Sequence, residues 1–288
     1  MAQPVTIEND HLRLEVWPQF GGKVSSIVDK VDNFELLFTY PAELPTRCQY
    51  GMRYDDAWYA GWDECFPAVA PGAYPLHPYE GIQVPDHGEL WPLPTTAVPT
   101  RDGITTVWHG LRFGYRLTRK LFLATRSIVA EYTLVNLAPF EFRFCWAQHA
   151  LFSVASPVEL DFGAALKLAG GSTWPTLDEQ NAFDRYDTLP AGLGWKVFSD
   201  APIAHPAIVR YPERKRSLMI SYAPESGPSA YWGIWINTGG WGGQRHLAVE
   251  PTTARSDFIH TGVEDGSAAR LEPMGRAQWR TTFTVAGE

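Results

Sequence analysis

Three short segments, far apart in the chain, set acid–base groups among apolar and aromatic neighbours. They are Pro85-Asp86-His87-Gly88-Glu89-Leu90-Trp91, Cys145-Trp146-Ala147-Gln148-His149-Ala150-Leu151-Phe152 and Leu247-Ala248-Val249-Glu250-Pro251. Two imidazoles and a carboxylate supply both halves of a proton transfer near neutral pH. His87 reads as an active-site imidazole or as a loop residue held by hydrogen bonds. His149, inside the apolar run Phe142–Phe152, is either a catalyst or a satisfied core residue. Glu250 stands before Pro251 at an expected strand end, with no Lys or Arg in its immediate sequence, so it is a base or a surface terminus.

An extended Asp86–Glu89 puts His87 and Glu89 on one side. This H-x-E pair invites a metal reading, but the P-C-x-x-C of the zinc deaminases is missing. A second His two residues on, as a cupin-like site needs, is missing too, so no metal is expected. The chain holds 12 Trp, whose flat faces serve as core filler or as platforms for the C–H face of a pyranose. Trp58, Trp62 and Trp91 flank polar groups and are candidate platforms. Asp55, Asp56, Asp63 and Glu64 read as solvated charges or sugar-hydroxyl acceptors rather than a calcium site. There is no G-x-S-x-G, G-x-x-x-x-G-K-S/T or G-x-G-x-x-G, so no nucleotide cofactor is expected.

The elements that would position these groups are strands. Short β-branched and aromatic runs recur between Gly, Pro, Asn and Asp: Val5–Glu8, Leu12–Val16, Val24–Val28, Phe34–Tyr40, Ile104–His109 and Tyr115–Leu123. They continue with Ser127–Leu137, Glu141–Phe152, Val158–Phe162, Ala207–Tyr211, Leu218–Tyr222, Tyr231–Ile236, His246–Glu250, Phe258–Thr261 and Gln278–Val285. Alternation with period two is clearest around Ile128–Leu134. One short helix is expected over Thr176–Tyr186. Ten of the 23 prolines fall between Pro41 and Pro99, which argues against central strands there. With Trp58, Trp62, Trp91 and five tyrosines, residues 41–99 read as an ordered loop layer over one end of a sandwich. The expectation is one all-β domain over residues 1–288, two large and mostly antiparallel sheets face to face.

The composition fits. With 45% hydrophobic and 19% charged residues the chain can build a large core. A net charge of −8 argues against nucleic-acid or anionic-membrane partners. Cys48, Cys65 and Cys145 show no C-x-x-C spacing, and the N-terminal segment has no basic-then-apolar leader pattern. No apolar run is long enough to span a bilayer. A cytoplasmic location is expected.

In order along the chain, Gly21-Gly22-Lys23-Val24-Ser25-Ser26-Ile27, Gly61-Trp62-Asp63-Glu64-Cys65-Phe66-Pro67, the His87 segment, Gln148-His149-Ala150-Leu151-Phe152, Glu250-Pro251 and Leu271-Glu272-Pro273-Met274-Gly275 appear. As a set they resemble the aldose 1-epimerase (galactose mutarotase) superfamily over nearly the whole chain. The resemblance implies a β-supersandwich with an open sugar cleft on one sheet, and no metal or organic cofactor. It implies Glu250 as base on the anomeric hydroxyl, His149 as acid on the ring oxygen and His87 holding the sugar. Arg53, Asp63, Glu64, Glu89, Trp62, Trp91 and Gln148 complete the expected sugar contacts. The better-known mutarotases carry His-Gly-Gly where this chain has His87-Gly88-Glu89, and Asn before the second His where it has Gln148. The acidic loops favour a neutral sugar over a sugar phosphate, which would need basic residues. The expected partner is thus a small sugar, bound by a monomer or homodimer. Two other readings stay open at this point: a non-catalytic sugar-binding protein, and a metal-dependent isomerase built on His87, Glu89 and His149.

Overall fold

Burial along the strands separates two kinds of sheet environment. Tyr115–Ala124, Ser127–Asn136 and Arg276–Gly287 alternate buried and open positions, as strands with one solvated face do. Trp62–Cys65, Ala147–Phe152 and all of Arg245–Thr252 but its first residue are buried throughout, so both faces of those strands are covered. The computed structural model describes residues 3–39, 48–171, 173–174, 176–178, 181–182 and 185–287.

The first group belongs to an eight-stranded sheet, in the order Glu159–Asp161, Ala207–Tyr211, Arg216–Ala223, Arg276–Gly287, Ser127–Asn136, Tyr115–Ala124, Gly103–His109, Thr96–Pro99. The second lies at the middle of a nine-stranded sheet. Its order is Val5–Glu8, Leu12–Trp17, Lys23–Asp29, Trp62–Cys65, Ala147–Phe152, Arg245–Thr252, Tyr231–Thr238, Gly194–Phe198, with Phe34–Glu35 paired onto Lys23–Asp29. The pairings in both sheets are antiparallel. The all-β, two-sheet architecture is the expected one.

Between the sheets, Tyr132 stacks on Trp279 (centroids 5.3 Å, 8°). Glu64 sits in this interior. Its Oε1 accepts from Trp62 Nε1 (3.0 Å), Tyr132 Oη (2.8 Å) and Arg119 Nη1 (3.0 Å), and its Oε2 from Trp146 Nε1 (2.8 Å). A buried carboxylate is tolerable only when so fully bonded. Among the described residues no helix is long and apolar enough to cross a membrane.

Several expectations change. Trp62–Cys65 is a central strand inside the proline-rich region, short enough to fit between the prolines that would interrupt the ladder. The rest of that region's described part divides: residues such as Tyr54, Asp86 and His87 line the cleft, while Tyr79, Glu89 and Thr95 bond Gly114, Leu111-Arg112 and Val107. The run Glu141–Phe152 splits at Cys145-Trp146: Phe142–Phe144 pairs with Ala269–Leu271 in a small separate sheet. Thr176–Asp178 and Asn181–Ala182 pair as strands where a helix was expected. Ile259–Glu264 is helical where a strand was expected, a short apolar run being ambiguous by periodicity. Pro251 does not end its strand, which runs to Thr252. The Tyr40 end of the expected strand Phe34–Tyr40, and residues 41–47 of the loop region, lie outside the described residues.

Candidate active site

Period two and sheet register decide which side chains meet. Gln148 pairs with Glu64 and His149 with Asp63. The pairings Ala147–Thr252 and Leu151–Ala248 set His149 opposite Glu250. Glu250 in turn pairs with Gly233, and Trp235 with Ala248 on one side and Lys196 on the other. His149, Glu250, Trp235 and Lys196 therefore share the outer face of the nine-stranded sheet, while Gln148, Glu64 and Trp62 face the core.

On that outer face lies a cleft of about 1320 Å³, with Tyr54, Asp86, His87, His149, Lys196 and His246 among its lining. His149 Nε2 stands 3.9 Å from Glu250 Oε1. Glu250 is fully buried just under the floor. Its Oε2 accepts a 2.6 Å hydrogen bond from Lys196 Nζ, while its Oε1 has no hydrogen-bond partner among the described residues. Lys196 reaches Glu250 across Gly233, where an added Cβ would sit 3.4 Å from Lys196 Cε. Asp257 Oδ1 lies 3.8 Å from the same ammonium.

His87 comes from the loop layer. Its backbone is left-handed (φ 57°), and the next residue is required to be glycine. A Cβ on Gly88 (φ 79°) would meet Phe66 O at 2.1 Å. Asp86 fixes the turn: its Oδ1 lies 2.8 Å from His87 Nδ1, its Oδ2 accepts from Tyr54 N (2.9 Å), and its carbonyl accepts from Trp91 Nε1 (2.8 Å). Tyr54 and the two imidazoles form a triangle of rings, with His87 edge-on to His149 at 5.0 Å and 82°. Tyr54 stacks on His87 (3.8 Å, 14°) and stands edge-on to His149 (5.5 Å, 88°). Its hydroxyl donates to Asp63 Oδ2 (2.7 Å) and lies 3.5 Å from His149 Nδ1. Lys23 Nζ bonds the same Asp63 oxygen.

These contacts set the protonation states. Burial, reinforced by His87 and Lys196, holds His149 well below the usual imidazole range, so it is neutral at physiological pH. Burial lifts Glu250 above the usual carboxylate value, against the pull of Lys196. For Lys196 burial acts downward, but Asp257 and Glu250 outweigh it and raise its pKa. Burial also acts to raise Asp86, yet the bond to His87 leaves it lowered.

The expected site residues thus divide. His87, His149 and Glu250 converge. Arg53 lines the cleft mouth, paired with Asp55 at 3.0 Å. Asp63 and Trp91 lie behind Tyr54 and hold it from below. Trp62, Glu64 and Gln148 are core residues; the Gln148 amide donates to Tyr132 Oη and Thr281 Oγ1. Glu89 points away from both imidazoles and anchors the turn at Leu111-Arg112, accepting from both backbone N–H groups and from Tyr50 and Tyr115. That removes it from any site shared with His87 and His149. Among the described residues no group of three or more His, Cys, Asp or Glu is arranged to hold a metal ion. Lys196, Tyr54, Trp235, Trp241 and His246 were not singled out from sequence. Only period two from Glu250, which puts His246 on the same face, could have signalled one of them.

No protein-family model matches the chain and no curated protein sequence is similar to it. Solved structures do share its fold. The Slr1438 protein of Synechocystis sp. PCC 6803 superposes with a TM-score of 0.72 at 17% identity, covering 100% of this chain and 97% of that one. A protein of Escherichia coli K12 proposed to be an aldose 1-epimerase gives 0.71 at 14% identity, covering both chains completely. A galactose mutarotase-like protein of Lactobacillus casei gives 0.71 at 17% identity, over 98% and 100%. The chain has the galactose mutarotase-like β-sandwich fold.

Proposed function

We propose that the protein is an aldose 1-epimerase-type isomerase that interconverts the α and β anomers of a neutral sugar. The observation that carries this reading is the Glu250 carboxylate. One oxygen is held by Lys196, and the other, without a hydrogen-bond partner among the described residues, lies 3.9 Å from the neutral His149. A gap of that length is too wide for a direct bond and suits a hydroxyl bridging the two groups.

In this reading Glu250 removes the proton of the anomeric hydroxyl as the ring C–O bond opens. The electron pair released to the ring oxygen is met by His149 Nε2, which carries the ring hydrogen in the tautomer this reading requires. A neutral imidazole can polarise an oxygen in this way without first becoming imidazolium. His87, oriented by Asp86, supplies a second polar contact. Rotation about C1–C2 and closure return the one proton held by Glu250 to the new anomeric hydroxyl, and the His149 hydrogen bond to the ring oxygen is made and released without transfer, so no net proton, redox equivalent or cofactor is consumed. Glu250 lies just under the cleft floor, so the anomeric hydroxyl reaches it through the gap beside His149.

Glu250→Gln and His149→Ala are expected to lower turnover by about 10²–10⁴-fold each, with a much smaller change in sugar affinity. Anomer exchange is measured by NMR exchange spectroscopy or polarimetry over a panel of aldoses. Wild-type exchange rates in both variants would sink the assignment. Saturable sugar binding by a wild type that does not accelerate exchange would leave a sugar-binding protein instead.

A further inference from the structure

The floor of the cleft is a grid set by register. Its first row is His149, Glu250 and Gly233; the second is Leu151, Ala248, Trp235 and Lys196; the third holds His246 and Asn237. Successive rows are two residues apart, about 6.7 Å at ~3.3–3.4 Å per residue. His246 thus starts about 13 Å from Glu250 along the strand, and strand side chains stand roughly perpendicular to the sheet. A pyranose built from bonds of ~1.5 Å reaches only roughly 6 Å from its anomeric oxygen to the oxygen on the opposite carbon. One ring over Glu250 leaves the third row untouched.

That far row is nonetheless equipped for a ligand. Trp235 Nε1 lies 3.1 Å from His246 Nε2. An indole N–H can only donate, so Nε2 accepts and the hydrogen of the neutral ring sits on Nδ1. Burial lowers the His246 pKa to about 4, which keeps the ring neutral. Its Nδ1 is buried with no hydrogen-bond partner among the described residues, in a side chain 2% exposed that lines the cleft. A buried donor left unpaired is costly.

Beside it Trp241 is 46% exposed, edge-on to Trp235 (6.2 Å, 84°) and tied through Nε1 to Asp55 Oδ1 (3.0 Å). It is carried by Gly239-Gly240-Trp241-Gly242-Gly243, with left-handed backbone at Gly239, Gly242 and Gly243. Lining the cleft, it offers a flat aromatic face on which the C–H face of a sugar ring can stack.

Resting on the reading of the site as one that opens a reducing sugar, we propose that its substrate is longer than a monosaccharide. The reducing ring lies over His149 and Glu250, and a second, neutral sugar ring stacks at Trp235 and Trp241 with one hydroxyl accepting from His246 Nδ1. The substrate class is a neutral reducing disaccharide or a longer oligosaccharide.

The test separates binding from catalysis. The methyl glycosides of cellobiose, maltose and lactose, and those of glucose and galactose, cannot mutarotate. Their affinities are measured by saturation-transfer NMR or calorimetry on wild type, Trp241→Ala and Trp241→Phe. At least one methyl disaccharide is expected to bind the wild type tenfold or more tighter than the matching monosaccharide. That ratio is expected to fall below threefold in Trp241→Ala and to recover in Trp241→Phe. Equal affinities in the wild type, or a ratio that Trp241→Ala leaves intact, overturns the second-ring subsite. Anomer exchange of the free sugars is followed in parallel. Its absence beside an intact affinity ratio refutes the mutarotase reading while leaving the subsite in place.

Discussion

Removing the Lys196 ammonium tests what holds the Glu250 carboxylate ionised under the cleft floor. Lys196→Met keeps the length and apolar stem but strips the charge from a 2.6 Å bond, between a side chain 15% exposed and one 1% exposed. Breaking a buried pair by deleting one partner costs about 3–5 kcal/mol. At roughly 2–4 °C per kcal/mol for a chain of this size, the melting temperature should fall by about 10 °C. Glu250 would then be left with Asp257 as a charged neighbour on the Lys196 side, and with His87, His149 and the buried Cys65 around it. It should respond by keeping its proton to higher pH, so the acidic limb of kcat/KM moves upward. Lys196→Met/Glu250→Gln removes both charges and should regain at least about 2 kcal/mol over the single variant, as directly coupled pairs do. Urea midpoints for the four proteins of this cycle, at pH 7 and fixed salt, measure the coupling. A Lys196→Met protein melting within about 2 °C of wild type, or a double variant less stable than the single, would refute the reasoning.

Two further predictions follow from burial and backbone. The folded-state pKa of His246 is lowered to about 4 from the usual ~6.5, so below pH 6.5 the unfolded chain takes up a proton that the folded one refuses. His149 acts in the same direction. Stability should therefore fall as pH drops from about 6.5 towards 4, by up to ~1.4 kcal/mol per pH unit for each imidazole. His246→Gln should flatten that slope by about one proton, and a slope that does not change in urea titrations contradicts it. Gly88→Ala places a methyl 2.1 Å from Phe66 O. Gly192→Ala shares the left-handed backbone with nothing within 4 Å and isolates the conformational cost alone, of order 1–2 kcal/mol. Gly88→Ala should lose more stability than Gly192→Ala, and lose activity through His87 as well; equal melting temperatures would show that the Phe66 contact does not matter.

Legibility in the sequence followed physical cause. Ser127–Asn136 alternates because one face meets water, so its pattern was readable. Trp62–Cys65 is covered on both faces and only four residues long, and its flanking prolines hid it. Phe258–Thr261 was read as a strand because four residues are too few to separate the two periods. Within the site, His149 and Glu250 stood out as lone acid–base groups among apolar neighbours, and His87 as an imidazole in a short acidic and aromatic loop segment. Gln148 and Glu64 were over-read: each is adjacent in sequence to a residue on the outer face of the sheet, and period two sends each to the opposite face. Lys196 lies between Trp195 and Val197 in a strand with no charge pattern of its own. Only the pairing across Gly233 brings it to Glu250, and no local signal encodes that.

The Glu64 cluster has a consequence for how the molecule deforms. Its donors come from both layers, Arg119 and Tyr132 from one and Trp62 and Trp146 from the other, and all converge on one carboxylate. Sliding one layer over the other by even a single residue would strand that charge in hydrocarbon, so shear between layers is strongly resisted. Motion that admits a ligand is then confined to the overlying loops, and the platform beneath them keeps its spacing whether the cleft is empty or filled.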